Sequence, residues 1–130
     1  MADLYCWPAL ATIAALLVYM TSFALAVLMR RKHQVMAPST EGPEEFKRAF
    51  RIQANTLEQL VPFLAALWLF AVYVSPLWAA LLGAVWVVGR VLYIMTYFRN
   101  PAARGPGFVI AAAACITLLV GALAGVIAHI

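Results

Sequence analysis

From Trp7 to Met29 the chain runs for 23 residues without one charged side chain. As a helix rising 1.5 Å per residue, that run is about 34 Å long, enough to cross the ~30 Å hydrocarbon core of a bilayer. It stops abruptly at Arg30-Arg31-Lys32-His33. The rest of the chain has the same character. Of the 130 residues 66% are hydrophobic and only 11% are charged, and the mean hydropathy is +0.94. A soluble domain of this size carries about twice that share of charge, so the chain is read as an integral membrane protein.

Three further apolar segments follow. A polar loop holding Pro38, Ser39 and Thr40 leads to Gly42-Pro43, where Pro43 with Glu44 and Glu45 suits a helix start: proline in the first turn and acids at the positive end of the dipole. Val74-Ser75-Pro76 is a very short turn and makes its flanking helices an antiparallel hairpin. The expected architecture is all-α, a bundle of four transmembrane helices in one domain at about residues 7–29, 44–74, 77–98 and 107–129. The second is longer than a bilayer requires, so its first turns project beyond the hydrocarbon. Small residues at Gly121, Ala122, Ala124, Gly125 and Ala128 suit close packing of the last helix.

All nine basic residues lie in the loops 30–43 and 99–106 or in the helix halves facing them. The positive-inside rule then puts both loops in the cytoplasm and both termini on the opposite side. The same rule accounts for the net charge of +4 without nucleic acid, since no Lys/Arg patch stands apart from the apolar segments. Asp3, in place of a basic leader, makes the first segment a retained helix and not a cleaved signal. Cys6 and Cys115 have neither CxxC spacing nor neighbouring ligands and read as packing residues, and no metal is expected. His33 and His129 lack partners for a triad or ligand set, and the four tryptophans read as packing or interface anchors.

What the apolar segments do not explain is their polar residues. Arg51, Asn55 and Glu58 are spaced i, i+4, i+7 and share one face of the second helix; Arg90, Tyr93 and Tyr97 are spaced i, i+3, i+7 on the third. Arg90 lies about 13 Å inside its end of the hairpin and Glu58 about 15 Å inside the Arg48 level, so the stripes meet at similar depth. A charge near the bilayer centre costs at least about 2.5 to 3.5 kcal/mol, and Glu58 and Arg90 are therefore expected to pair, with Arg90 the structural partner. A single pair would lock the helices. Arg51, Asn55, Tyr93, Tyr97 and Arg104 are a surplus of cations and donors beyond that need, suited to a small ligand with carboxylates for the arginines and an amine for Glu58. Glutathione is such a ligand.

The string Arg51-Ile52-Gln53-Ala54-Asn55-Thr56-Leu57-Glu58, continued by Val61-Pro62-Phe63-Leu64, and the string Arg90-Val91-Leu92-Tyr93-Ile94-Met95-Thr96-Tyr97, followed by Pro101-Ala102-Ala103-Arg104, resemble the membrane-associated proteins in eicosanoid and glutathione metabolism, the MAPEG family. That family includes microsomal glutathione transferases and leukotriene-C synthase. The resemblance covers nearly the whole chain and suits a bacterial-like member. It implies a homotrimer in the lipid bilayer, with glutathione as co-substrate bound between neighbouring subunits. Arg51, Asn55, Glu58, Tyr93, Tyr97 and Arg104 would hold it from one subunit, and Arg30 and Gln53 from the next. Arg104 would be catalytic, stabilising the thiolate that attacks a lipophilic electrophile or hydroperoxide. Gln59 stands where eicosanoid-type members carry tyrosine, and Arg99-Asn100-Pro101 is closer to the microsomal transferase type. Two other readings compete: a non-catalytic lipid-binding scaffold of the same fold, and a small four-helix exporter. The exporter would need a carboxylate in its first helix, which has no acid after Asp3.

Overall fold

A computed structural model describes residues 2–130. Four helices follow one another: α1 (Ala2–His33), α2 (Glu44–Tyr73), α3 (Pro76–Arg99) and α4 (Gly105–Ala128), with a single 3₁₀ turn at Pro101–Ala103 before α4. Each helix is long and apolar enough to cross a membrane. The protein is an all-α membrane bundle.

α1 begins well before Trp7 and ends beyond Met29, because the basic run continues the helix instead of breaking it. Pro8 lies inside α1 in its second turn, where it removes the N–H that would bond the Leu4 carbonyl, and the Thr12 hydroxyl donates to the Pro8 carbonyl at 2.9 Å. The helix closes where Gln34 turns left-handed at φ 55° and the Val35 N–H donates to the Arg30 carbonyl at 3.0 Å. The end of α1 is strapped to the start of α2 by Glu45, whose Oε1 accepts from Lys32 at 2.7 Å and meets His33 Nε2 at 2.9 Å. His33, set aside in the sequence, is thus an inter-helix contact. α3 opens on Ser75, whose hydroxyl accepts from the Trp78 N–H at 3.2 Å, with Pro76 in the first turn.

α2 and α3 form the central hairpin, flanked by α1 and α4, each of which packs against both. The core runs along the hairpin: Leu60, Phe63, Leu67 and Phe70 of α2 meet Ala79 and Trp86 of α3, and Phe63 stacks on Trp86 with ring centroids 4.1 Å apart at 8°. Ala11 and Ala15 close it from α1, and Ala111, Ala114, Cys115 and Leu118 from α4. Large apolar side chains such as Leu10, Leu17, Val88, Ile116 and Leu123 point outward, as lipid-facing surfaces require. Two hydrogen bonds cross between α1 and α2 within this apolar layer, from Trp68 Nε1 to the Thr12 hydroxyl (3.0 Å) and from Gln53 Nε2 to the Tyr19 hydroxyl (3.1 Å).

One crossing sets the site. At Gly89 and Gly107, α3 and α4 approach so closely that a Cβ on Gly107 would fall 2.4 Å from the Tyr93 nitrogen and 2.8 Å from the Gly89 carbonyl oxygen. Only glycine permits that approach. It brings the first turn of α4 against the tyrosine-bearing half of α3.

Candidate functional site

Beside this crossing lies a cavity of about 290 Å³ lined by Arg51 and Asn55 of α2, Tyr93 and Tyr97 of α3, Arg104 from the turn before α4, and Gly105, Phe108 and Val109 at the start of α4. The α2 and α3 stripes thus share one cavity. Tyr93 is buried among the helices, its ring centroid 5.4 Å from that of Tyr97 and 6.3 Å from that of Phe108. Arg104 is tethered twice: Nη1 donates to the Pro101 carbonyl at 3.0 Å, and Cζ lies 5.5 Å from the Tyr97 ring centroid. Asn55 Oδ1 is buried with no hydrogen-bond partner among the described residues. Arg48, one turn before Arg51, reaches the Phe98 carbonyl at 3.4 Å and ties α2 to the last turn of α3.

The chemistry of this lining is one-sided. Two guanidinium groups face it and no carboxylate does, so an anion is the ligand that it favours. None of the eight lining residues is Ser, Cys, His, Asp or Glu. Such a wall holds no thiol, aliphatic hydroxyl, imidazole or carboxylate of its own; its guanidiniums, amide and phenols can bind, orient and stabilise charge on a reacting group that the ligand brings. Among the described residues no group of three or more His, Cys, Asp or Glu side chains is placed to share a metal.

Glu58 and Arg90 do not pair. Arg90 is fully buried and its Nη2 donates to the Thr56 hydroxyl at 2.8 Å, while its Cζ sits 4.1 Å from the Tyr93 ring centroid. Glu58 is exposed on α2 and forms no ion pair among the described residues. The reason is angular: Thr56 belongs to the buried stripe Ile52, Thr56, Leu60, and a side chain two residues on points about 200° away around the helix. Depth along a helix fixes height and leaves azimuth open.

Arg30 and Gln53 lie apart from this cavity within the chain. Arg30 stacks on Phe46 at 5.0 Å and donates to the Ser39 carbonyl at 2.7 Å; Gln53 is held by Tyr19. The contribution of α4, through Gly105, Phe108 and Val109, went unseen in the sequence. Its one signal was the pair Gly89 and Gly107 at facing ends of α3 and α4, which permits the close crossing.

The sequence profile of the MAPEG family matches residues 8–124. The chain belongs to the MAPEG family. This MAPEG protein is 45% identical to an uncharacterised protein of the cyanobacterium Synechocystis sp. over 121 residues, 93% of this chain and 88% of that one. It is 39% identical to leukotriene C4 synthase of Cavia porcellus over 122 residues, covering 92% of this chain and 81% of the synthase. It is also 38% identical to microsomal glutathione S-transferase 2 of Homo sapiens over 87 residues, covering 66% of this chain and 59% of the transferase.

Proposed function

We propose that this MAPEG protein is a membrane-embedded glutathione transferase that activates the glutathione thiol for attack on lipophilic electrophiles. The observation that carries the reading is the cavity in which Arg51 and Arg104 face Asn55, Tyr93 and Tyr97 with no acid among them. Glutathione supplies what that wall lacks: carboxylates for the guanidiniums, backbone N–H groups for the orphan Asn55 Oδ1, and a thiol as the reacting group. A relative named as a glutathione transferase and another named as leukotriene C4 synthase add weight.

In this reading Arg51 takes a ligand carboxylate and Asn55 the peptide. Glu58, one turn deeper along α2, takes the ammonium group. Tyr93 and Tyr97 donate from their hydroxyls. Arg104, held by the Pro101 carbonyl and the Tyr97 ring, stands beside the sulfur. A free thiol has a pKa of about 8.5 and is mostly protonated at neutral pH; lowering it by two units takes about 2.7 kcal/mol, within reach of one close guanidinium in a poorly hydrated site. The thiol proton leaves to water, the thiolate sulfur bonds to the electrophilic carbon, and the leaving group departs with the electron pair. With a hydroperoxide the thiolate would instead attack the terminal oxygen and break the O–O bond, releasing an alcohol and leaving glutathione sulfenic acid, which a second glutathione converts to the disulfide and water, a peroxidase activity.

A cavity near 290 Å³ is at the small end of ligand sites, and Glu58 stands exposed on a membrane-spanning helix, where an unpartnered charge facing lipid is costly. Both features support completion by neighbouring subunits, a homotrimer in which Arg30 and Gln53 of one chain reach the glutathione of the next. The loops 30–43 and 99–106 would face the cytoplasm, where the ligand is taken up.

The test is conjugation of a chloronitrobenzene by glutathione with purified protein in detergent. Activity in the wild type, lost in Arg104→Ala, is the expected result. An inactive wild type that still folds, or an Arg104→Ala variant of unchanged rate, refutes the mechanism.

A further inference from the structure

Arg90 is a cation that no side chain among the described residues neutralises. It is fully buried in a membrane-spanning helix, its Nη2 donates to Thr56, and its Nε and Nη1 are buried with no hydrogen-bond partner among the described residues. The Thr56 hydroxyl is already committed as a donor to the Ile52 carbonyl at 2.7 Å, so toward Arg90 it serves as a neutral acceptor. No ion pair among the described residues includes Arg90. A buried charge whose polar partners are only the neutral Thr56 and Tyr93 hydroxyls is strongly unfavourable by itself. Any neutral donor of similar length would link α2 to α3 without that cost, so a helix lock does not account for an arginine.

The direction of the guanidinium does account for it. Its Cζ lies 4.1 Å from the centroid of Tyr93, whose ring forms part of the cavity wall. The electrostatic neighbours of that phenol are Arg90, Tyr97, Arg104 and Arg51, so Arg90 adds a third positive charge behind a wall already faced by two. In a medium of low dielectric this charge acts across the ring on whatever occupies the cavity. The ring has the guanidinium on it and the Phe108 ring of α4 as a neighbour at 6.3 Å, while its own backbone is pressed against α4 at Gly107.

We infer that Arg90 is a positioning residue for an anionic ligand, acting through Tyr93: it clamps the phenol ring in the cavity wall and supplies buried positive charge that an anion in the cavity compensates. The inference rests on the transferase reading for the identity of that anion, the glutathione thiolate. It assigns the cation on α3 to ligand chemistry, where the sequence assigned it to a pairing with Glu58.

The experiment compares the full-length protein in detergent as wild type, Arg90→Gln and Arg90→Lys. Two quantities are followed: the ultraviolet absorbance of bound glutathione thiolate as a function of pH, and the thermal midpoint with and without glutathione. Arg90→Gln keeps a donor for Thr56 but removes the charge. It should raise the pKa of the bound thiol by about one unit, a tenfold loss of thiolate on the acid side of the transition, and shrink the glutathione-induced rise in midpoint. Its midpoint without glutathione should equal or exceed that of wild type, because an uncompensated charge is gone. Arg90→Lys should restore most of the thiolate. A thiol titration identical in Arg90→Gln and wild type overturns the inference, as does a shift in Arg90→Lys as large as that in Arg90→Gln. If Arg90→Gln does not fold, Arg90→Met provides the neutral variant, and failure of both neutral variants to fold without ligand overturns the inference in favour of a structural lock. A wild type with no thiolate absorbance refutes the transferase reading itself, whereas a wild-type transition that Arg90→Gln leaves unmoved refutes only the role of Arg90.

Discussion

Gly107→Ala tests whether the α3–α4 crossing sets the site. The added Cβ would stand 2.4 Å from the Tyr93 nitrogen, 2.7 Å from its Cα and 2.8 Å from the Gly89 carbonyl oxygen, against the 3.4 Å at which ordinary contact begins. All three neighbours are backbone, so no side chain can rotate away, and the two helices must separate by about 1 Å. Overpacking of this kind costs about 1 to 3 kcal/mol. The same displacement parts the two walls of the cavity, since Tyr93 and Phe108 lie on either side of the crossing. A misplacement of about 1 Å in a site that works by orientation is worth up to about a hundredfold in rate. Gly105→Ala is the internal control for stability, because nothing lies within 4 Å of its added Cβ; its unfolding should be unchanged or slightly delayed. The assay pairs thermal unfolding in detergent with glutathione conjugation. Gly107→Ala at wild-type stability and rate, or indistinguishable from Gly105→Ala in stability, would refute this role of the crossing.

Arg104→Ala should lower conjugation about 25-fold at neutral pH and about a hundredfold well below pH ~6.5, matching a two-unit loss of thiolate stabilisation. The sign with pH follows: the variant's rate should climb about tenfold per unit toward pH ~8.5 while the wild type stays flat there, and a constant ratio across that range would contradict the role of Arg104. Glu58→Gln should weaken glutathione affinity, read by calorimetry, without lowering ligand-free thermal stability, since Glu58 forms no ion pair among the described residues. Thr12→Val removes the acceptor for Trp68 Nε1 and should destabilise the bundle by about 0.6 to 1.7 kcal/mol, measured by denaturant or thermal unfolding, with conjugation per folded molecule unchanged.

The four helices were legible in the sequence because lipid leaves a simple record: runs free of charge, ended by Arg30-Arg31-Lys32 or interrupted by Ser75-Pro76. Their ends were not, since a basic run such as Arg30 to His33 continues a helix as readily as it marks the membrane edge. Spacing alone put Arg51 with Asn55 and Tyr93 with Tyr97, and both pairs line one cavity. The partner of Arg90 escaped that logic. Depth is a one-dimensional coordinate, and Thr56 and Glu58 differ by only about 3 Å along the axis while facing opposite ways. The α4 wall escaped for another reason, being the product of a backbone approach between Gly89 and Gly107 that side-chain patterns do not encode.

In the proposed function the cavity between α2, α3 and α4 binds glutathione through its guanidinium groups. Calorimetric titration of glutathione into the purified protein, beside Arg51→Ala, measures this directly. The account predicts saturable binding by the wild type and loss of that heat in a folded Arg51→Ala variant. A folded wild type that gives no binding heat and no glutathione-induced thermal stabilisation would contradict it, as would Arg51→Ala binding with unchanged affinity.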